Sequence, residues 1–165
     1  EAAFFMSLLL LGWAVGAPFS GWLSDQIGRR KPILVIGLAV ICIMLAVVTG
    51  ISDLPLGAVV ACFVVIGLSG GGMTACFGLV KDVMPAPLAG ASTGVVNSMT
   101  VASGAILQPF VGLALDLQWD GRLVDGARHY AEGDYRTAFT LVLVAAVIGL
   151  VTALSLRETP CGRAP

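Results

Sequence analysis

Five long stretches of the chain carry no Asp, Glu, Lys, Arg or His, and short polar segments separate them. The charge-free stretches are residues 2–24, 32–52, 54–80, 83–115 and 137–156. A helix needs roughly 20 apolar residues to cross a hydrocarbon core about 30 Å thick, and each stretch reaches that length. The pattern therefore predicts five spanning helices, at about residues 2–24, 32–51, 54–80, 90–115 and 137–156.

Composition agrees with this pattern. Of the 165 residues, 58% are hydrophobic and 12% are charged, whereas about 25% of the residues of a soluble domain are charged. A chain of this size cannot bury so many apolar side chains in its own core, so the lipid bilayer is the expected solvent. The predicted fold class is an all-α membrane protein, a polytopic helical bundle, with residues 1–165 as one transmembrane domain. Because Glu1 directly precedes a spanning helix, we expect a fragment of a longer chain.

The loops predict an orientation. Basic residues favour the cytoplasmic side of a membrane. With the turn after the first span inside, six of the nine Lys and Arg residues lie inside: Arg29, Arg30, Lys31, Lys81, Arg157 and Arg163. The C-terminus is then cytoplasmic, and the acidic segment 116–136 lies outside. An odd number of spans leaves the N-terminus outside, which a further helix before residue 2 would explain.

The turn after the first span reads GWLSDQIGRRK, residues 21–31. Gly21 permits another helix to approach closely. Asp25 is placed to accept hydrogen bonds at the N-terminus of a neighbouring helix. Gly28 permits a tight turn. Arg29 and Arg30 hold the loop in the cytosol, because each costs roughly 2.5–3.5 kcal/mol to bury in the bilayer. The alternative is a plain basic turn that only sets orientation.

This segment closely resembles the major facilitator superfamily signature G-x-L-x-D-R/K-x-G-R-R/K, from which Gln26 departs. The resemblance implies a partial major facilitator fold in which Gly21, Asp25, Gly28, Arg29 and Arg30 form a conformational latch. In this family, the N-terminal half usually has an Arg and a Gly-Pro pair within its spanning helices. The third span here has no Arg, and the fourth has no Gly-Pro pair. RETP, at residues 157–160, resembles the family's C-terminal ending. The chain then corresponds to helices eight to twelve, and its partners are a missing N-terminal six-helix domain and helix seven.

A second segment has the same Gly-x-x-x-Asp spacing as the signature. Gly112 and Asp116 end the fourth span on the opposite side of the membrane. Each half of such a transporter contains two three-helix units of inverted topology, and this repeat would match the fourth span with the first.

One stripe of the fourth span is polar. It contains Thr93, Asn97, Thr100, Gly104 and Gln108. Polar stripes in spanning helices usually face the protein interior or a water-filled path. We therefore predict Asn97, Gln108 and Thr100 as substrate-path residues; hydrogen bonding between helices is the alternative.

Two other spans supply the remaining candidates. Trp13 lies near the middle of the first span, where it would line the path or simply pack, and Ser69 in the third span is the last path candidate. Gly70, Gly71 and Gly72 follow it, and glycine weakens a helix by up to roughly 1 kcal/mol per residue relative to Ala. The three glycines therefore predict a hinge, and close packing against a neighbouring helix is the alternative.

These features favour a secondary transporter that moves a small solute by alternating access, rather than an enzyme. A non-catalytic membrane scaffold or a degenerate half-transporter is the alternative. Four cysteines and the lone His129 lack metal-ligand spacing, so no metal, cofactor or nucleic acid is predicted. The Tyr-Arg-x-Ala-Phe segment at residues 135–139 resembles bacterial members and suggests a bacterial inner membrane.

Overall fold

The computed structural model describes residues 2–124 and 126–157, and these residues form a helical bundle. Its helices are α1 (Ala2–Ile27), α2 (Lys31–Gly50), α3 (Leu56–Gly70), α4 (Thr74–Val83), α5 (Ala89–Gln118) and α6 (Glu132–Ser155). A 3-10 turn, Gly71–Met73, joins α3 to α4, and a second, Ala86–Leu88, precedes α5. Between α5 and α6, β1 (Leu123–Val124) and β2 (Ala127–Arg128) form a small antiparallel hairpin.

Among the described residues, five helical segments are long and apolar enough to cross a membrane. They are Ala3–Ile27, Lys31–Gly50, Leu56–Val83, Ala86–Gln118 and Glu132–Ser155. This confirms the predicted fold class, with the small hairpin as an addition. The third span is two α-helices joined by a 3-10 turn.

The helices extend a few residues beyond the charge-free stretches. The last begins at Glu132 rather than at residue 137, because the Asp134 carboxylate accepts a hydrogen bond from the Ala131 N–H at 2.8 Å. Acidic residues in a first turn also interact favourably with the helix dipole. Polar residues at a helix end can remain at the membrane surface, so they do not terminate the helix. Residues 158–165, with most of the RETP segment, lie outside the described residues.

Five helix pairs organise the bundle. α1 packs on α3, α2 lies against both α3 and α6, and α5 contacts α4 and α6. A buried apolar cluster joins Ile33 and Leu34 of α2 to Ala75 of α4 and Ala153 of α6. Large apolar side chains elsewhere are mostly exposed, as expected where lipid is the solvent.

The crossing of α1 and α3 depends on small residues. A Cβ atom added to Gly16 would lie 2.1 Å from the carbonyl oxygen of Leu68, and one added to Gly12 would lie 2.9 Å from that of Val64. On α3, a Cβ added to Gly67 would lie 2.5 Å from the Leu9 carbonyl oxygen. The two backbones are therefore in direct contact, which requires glycine at these positions.

Candidate functional site

The signature segment begins with the end of α1 and a left-handed turn. Gly28 has a φ of +68°, and its N–H donates to the Ser24 carbonyl oxygen at 3.0 Å. Glycine adopts this conformation without the steric cost of a Cβ atom. The predicted turn role of Gly28 is consistent with this geometry, which directs the chain back into α2.

Arg30 is the centre of a polar cluster, here called the inner cluster: Ser24, Asp25, Arg30 and Asp82. Its Nη1 donates to Asp25 Oδ1 and, at 3.2 Å, to Ser24 Oγ, while its Nε donates to Asp82 Oδ2 at 3.1 Å. Ser24 is fully buried, whereas the Asp25 side chain is 66% exposed. Arg30 therefore connects the end of α1 to the end of α4.

Asp82 is a member of the inner cluster that the sequence reading did not select. The Arg30 and Asp82 side chains are 17% and 15% exposed, so their ion pair is largely removed from water. Gly78 makes room for it, since a Cβ atom there would lie 2.7 Å from Arg30 Nε. The available signal was an acid at the end of the third span, on the same membrane face as the basic turn.

Gly21 and Arg29 of the signature have little contact with the described part of the chain. Nothing in the described part of the chain lies within 4 Å of a Cβ atom added to Gly21. Arg29 is exposed, and its side chain has no partner among the described residues. Asp25, expected at the N-terminus of a neighbouring helix, pairs with Arg30, the N-cap residue of α2. Gly21 and Asp25 lie one turn apart on α1, so a helix packing there would come from outside residues 2–157.

The polar stripe of α5 lies on a helix that is little covered. In the most apolar part of the fourth span, no residue is buried in the described bundle. Asn97 and Gln108 are exposed, about 16 Å apart along the helix axis. Neither amide has a hydrogen-bond partner within the part of the chain that is described. Thr100 differs, because it is half-buried and its hydroxyl donates to the Val96 carbonyl oxygen at 2.9 Å.

Trp13 and Ser69 occupy different surroundings. The Trp13 ring lies against Gly70, where an added Cβ atom would be 3.5 Å from its Cδ1. Ser69 is half-buried and lines a groove between α1 and α2, which none of the other path candidates lines. The described residues therefore do not bring the five candidates into one cavity, and their role remains a prediction.

The glycines at the end of α3 are closely packed. Gly71 is buried, and a Cβ atom on it would lie 2.2 Å from the carbonyl carbon of Gly16. The φ and ψ of Gly70 are −59° and −27°, and those of Gly71 are −56° and −25°, so both are regular helical residues. This favours the packing interpretation, and the hinge remains a prediction.

A second polar cluster lies at the opposite end of α5 and is called the outer cluster: Asp116, Trp119, Arg128 and Tyr130. Asp116 forms an ion pair with Arg128 and accepts a hydrogen bond from the Tyr130 hydroxyl at 2.7 Å. The Arg128 guanidinium carbon lies 4.8 Å from the centre of the Trp119 ring. The hydrogen bond to Asp116 raises the pKa of Tyr130, and the hydrogen bond with Asp116 also raises the pKa of Arg128.

The two Gly-x-x-x-Asp segments thus have similar geometry at opposite ends of the bundle. Asp25 and Asp116 each lie in the last turns of a helix, where negative charge interacts unfavourably with the dipole. Each pairs with an arginine from the segment that follows its helix, Arg30 or Arg128. This correspondence agrees with the inverted repeat that the spacing suggests.

Comparison with known proteins identifies the family. The profile of the Major Facilitator Superfamily matches residues 1–164. The probable metabolite transport protein CsbC of Bacillus subtilis is 34% identical over 103 residues, which are 62% of this chain and 22% of that protein. Inositol transporter 4 of Arabidopsis thaliana is 26% identical over 156 residues, 94% of this chain and 24% of that protein.

The chain thus aligns with about a quarter of the length of these curated relatives. No solved structure matches it. The family match covers nearly every residue, and the five apolar helices agree with a multi-pass membrane protein. This chain belongs to the Major Facilitator Superfamily.

Proposed function

We propose that this chain forms helices eight to twelve of a secondary transporter that moves a small solute by alternating access. The observation that carries the proposal is the position of Asn97 and Gln108. Both are uncharged amides, exposed on a spanning helix and without a hydrogen-bond partner in the described residues. Their expected surroundings are the absent half of the protein and the solute path.

The energetic argument concerns amides at membrane depth. An amide moved from water to an apolar environment without a hydrogen bond costs roughly 2–7 kcal/mol. Lipid cannot supply the missing partners, so Asn97 and Gln108 must face water, solute or protein. α4 and α6 pack on one face of α5, and Val96 and Thr100, the latter a member of the polar stripe, are half-buried. A water-filled path beside that face would satisfy both amides.

The solute class follows from the same residues. Carboxamides both donate and accept hydrogen bonds and carry no charge, so they suit a neutral solute with several hydroxyl groups. The charge-free stretches contain no Asp, Glu, Lys, Arg or His side chain that could pair with an ionic solute. The names of the two relatives refer to a metabolite and to inositol, which supports a neutral polyhydroxylated substrate.

The inner cluster has a separate role in this proposal. Asp25 and Arg29 form the part of a latch that contacts the N-terminal domain in one closed state, while Arg30 and Asp82 hold the turn in place. The exposure of Asp25 and Arg29 supports this division. The latch lies on the cytoplasmic side with the C-terminus, and a bacterial inner membrane is the proposed location.

Uptake by the full-length protein tests the proposal. In proteoliposomes containing equal amounts of protein, labelled inositol uptake should fall at least about tenfold for Asn97→Ala and for Gln108→Ala, the effect of losing about 1.4 kcal/mol of interaction with a polar solute. Met99→Ala, on the opposite stripe of α5, is the matched control and should keep near-normal uptake. Equal effects of all three substitutions would contradict a path along the Asn97 stripe.

A further inference from the structure

A groove of about 350 Å³ lies between α1, α2 and the end of α3. Its lining is almost entirely apolar, with Val15 and Phe19 on α1 and Ile36 and Val40 on α2. The hydroxyl-bearing residues that line it are Ser20 and Ser69. These residues belong to the charge-free stretches, so the groove lies at the depth of the hydrocarbon core.

Bulky apolar residues form the rim of this groove. Val15, Phe19 and Ile36 are 63%, 58% and 60% exposed. Another face of α1 includes the exposed Ala14 and the half-buried Gly21, small residues of the kind that helices use for close packing. Since α2 is apolar on all sides, the groove side suits lipid, whereas the small-residue side suits a protein helix.

The groove extends toward the signature turn. Leu23, near the end of α1, and Ile33, in the first turn of α2, both line it. The exposed Arg29 has no side-chain partner among residues 2–124 and 126–157. Trp22, 58% exposed and next to Phe19 with ring centroids 6.1 Å apart, lies at the same level, where Trp commonly meets lipid headgroups.

The electrostatics of this end favour a negatively charged headgroup. Arg29, Arg30, Lys31 and Lys81 supply four positive charges, while Asp25 and Asp82, which pair with Arg30, supply two negative charges. The net charge is therefore +2, with the Lys31 ammonium directed to carbonyl oxygens at the end of α6. The N-terminus of α2 adds the positive end of its dipole, and no side chain caps it.

We propose that the groove binds an anionic phospholipid from the leaflet that contains the signature turn. One acyl chain fills the space between α1 and α2, and the phosphate interacts with Arg29 and the start of α2. Basic groups at the ends of spanning helices recognise such headgroups by charge. The lipid would contact both segments that flank the latch turn, and its phosphate would bind Arg29 in the states in which the latch is open. This site is independent of the solute path.

Native mass spectrometry of the full-length protein in detergent tests the headgroup. With phosphatidylglycerol and phosphatidylcholine of identical acyl chains, the wild type should retain about fivefold more of the anionic lipid. Arg29→Gln should reduce that retention to the phosphatidylcholine level, while Arg122→Gln, on the outer hairpin, should leave it unchanged. Equal retention of the two lipids by the wild type, or equal losses in the two variants, would overturn the proposal.

A second measurement tests the groove itself. Val40→Phe should reduce retention of both lipids at least severalfold because it fills the acyl site, while Val151→Phe, exposed on α6, should not. A photocrosslinking residue at position 36 of the full-length protein in native membranes should give an adduct with the mass of a phospholipid. A crosslink to another peptide of the same protein would show that a helix covers the groove, and the lipid site would be rejected.

Discussion

At the scale of single residues, the two arginines of the signature have different environments. Arg30 is largely buried and bridges α1 and α4, whereas Arg29, its neighbour in sequence, is exposed. An arginine presents a planar fork of donors that lysine lacks, so one Arg30 side chain can bind Ser24, Asp25 and Asp82 together. We infer that Arg30 stabilises the turn and that Arg29 remains available for other partners.

Substitution separates the roles of the inner cluster. Arg30→Gln leaves the largely covered Asp82 without its cation, so the unfolding free energy should fall by about 3 kcal/mol, whereas Arg29→Gln should change it little. Asp25→Asn breaks only an exposed pair, worth about 0–1 kcal/mol, and should reduce uptake sharply while membrane insertion remains normal. Thermal unfolding and uptake of the full-length protein measure these effects. Unchanged uptake in Asp25→Asn would exclude the latch.

The residue pattern predicted part of this cluster. The signature spacing selected Gly28, Asp25 and Arg30, because a turn and its charges are local features of the sequence. It did not select Asp82, since the Arg30–Asp82 contact joins residues 52 positions apart. Such a partner is visible only when the packing of α4 on α1 is known.

At the scale of the elements, close backbone contact joins α1 to the third span. Leu9, Gly12 and Gly16 of α1 meet Gly67 and Gly71 without intervening side chains. Lys31 adds a link between α2 and α6, because its Nζ donates to the carbonyl oxygens of Leu154 and Leu156, each at 2.7 Å. A cation at the C-terminal end of a helix is favourable for its dipole.

Alanine substitution tests whether the Gly71 contact is tight packing. Gly71→Ala forces a Cβ atom into the backbone of α1, so we expect destabilisation by about 1–3 kcal/mol. Gly104→Ala, at an open position of α5, should be neutral or stabilise by up to about 1 kcal/mol through helix propensity. Thermal unfolding of the full-length protein compares the two. If both variants are equally stable, the packing interpretation is wrong.

The length of each charge-free stretch predicts which parts of the chain form spanning helices. It predicted the five spans, because lipid requires long apolar helices. The 3-10 turn within the third span and the early start of α6 depend on the contact of Gly71 with α1 and on the Asp134 hydrogen bond. Those are tertiary and capping effects, which apolar length does not encode.

At the scale of the whole molecule, two helix faces have few neighbours in the described bundle. α5 is covered on one face only, and the small-residue face of α1 that includes Gly21 lacks a close neighbour in the described part. The family membership accounts for both features if further helices of the same protein cover them. The central claim is therefore that the Asn97 stripe of α5 faces an aqueous solute path in the complete protein.

Cysteine accessibility measures that claim most directly. In the full-length protein with Cys42, Cys62, Cys76 and Cys161 replaced by Ser, single cysteines are placed at positions 97, 108 and 99 and exposed to a small, charged thiol reagent. Asn97→Cys and Gln108→Cys should react and be protected by added inositol, while Met99→Cys should remain unmodified in lipid. Equal reaction at all three positions, or reaction at Met99→Cys alone, would contradict the account.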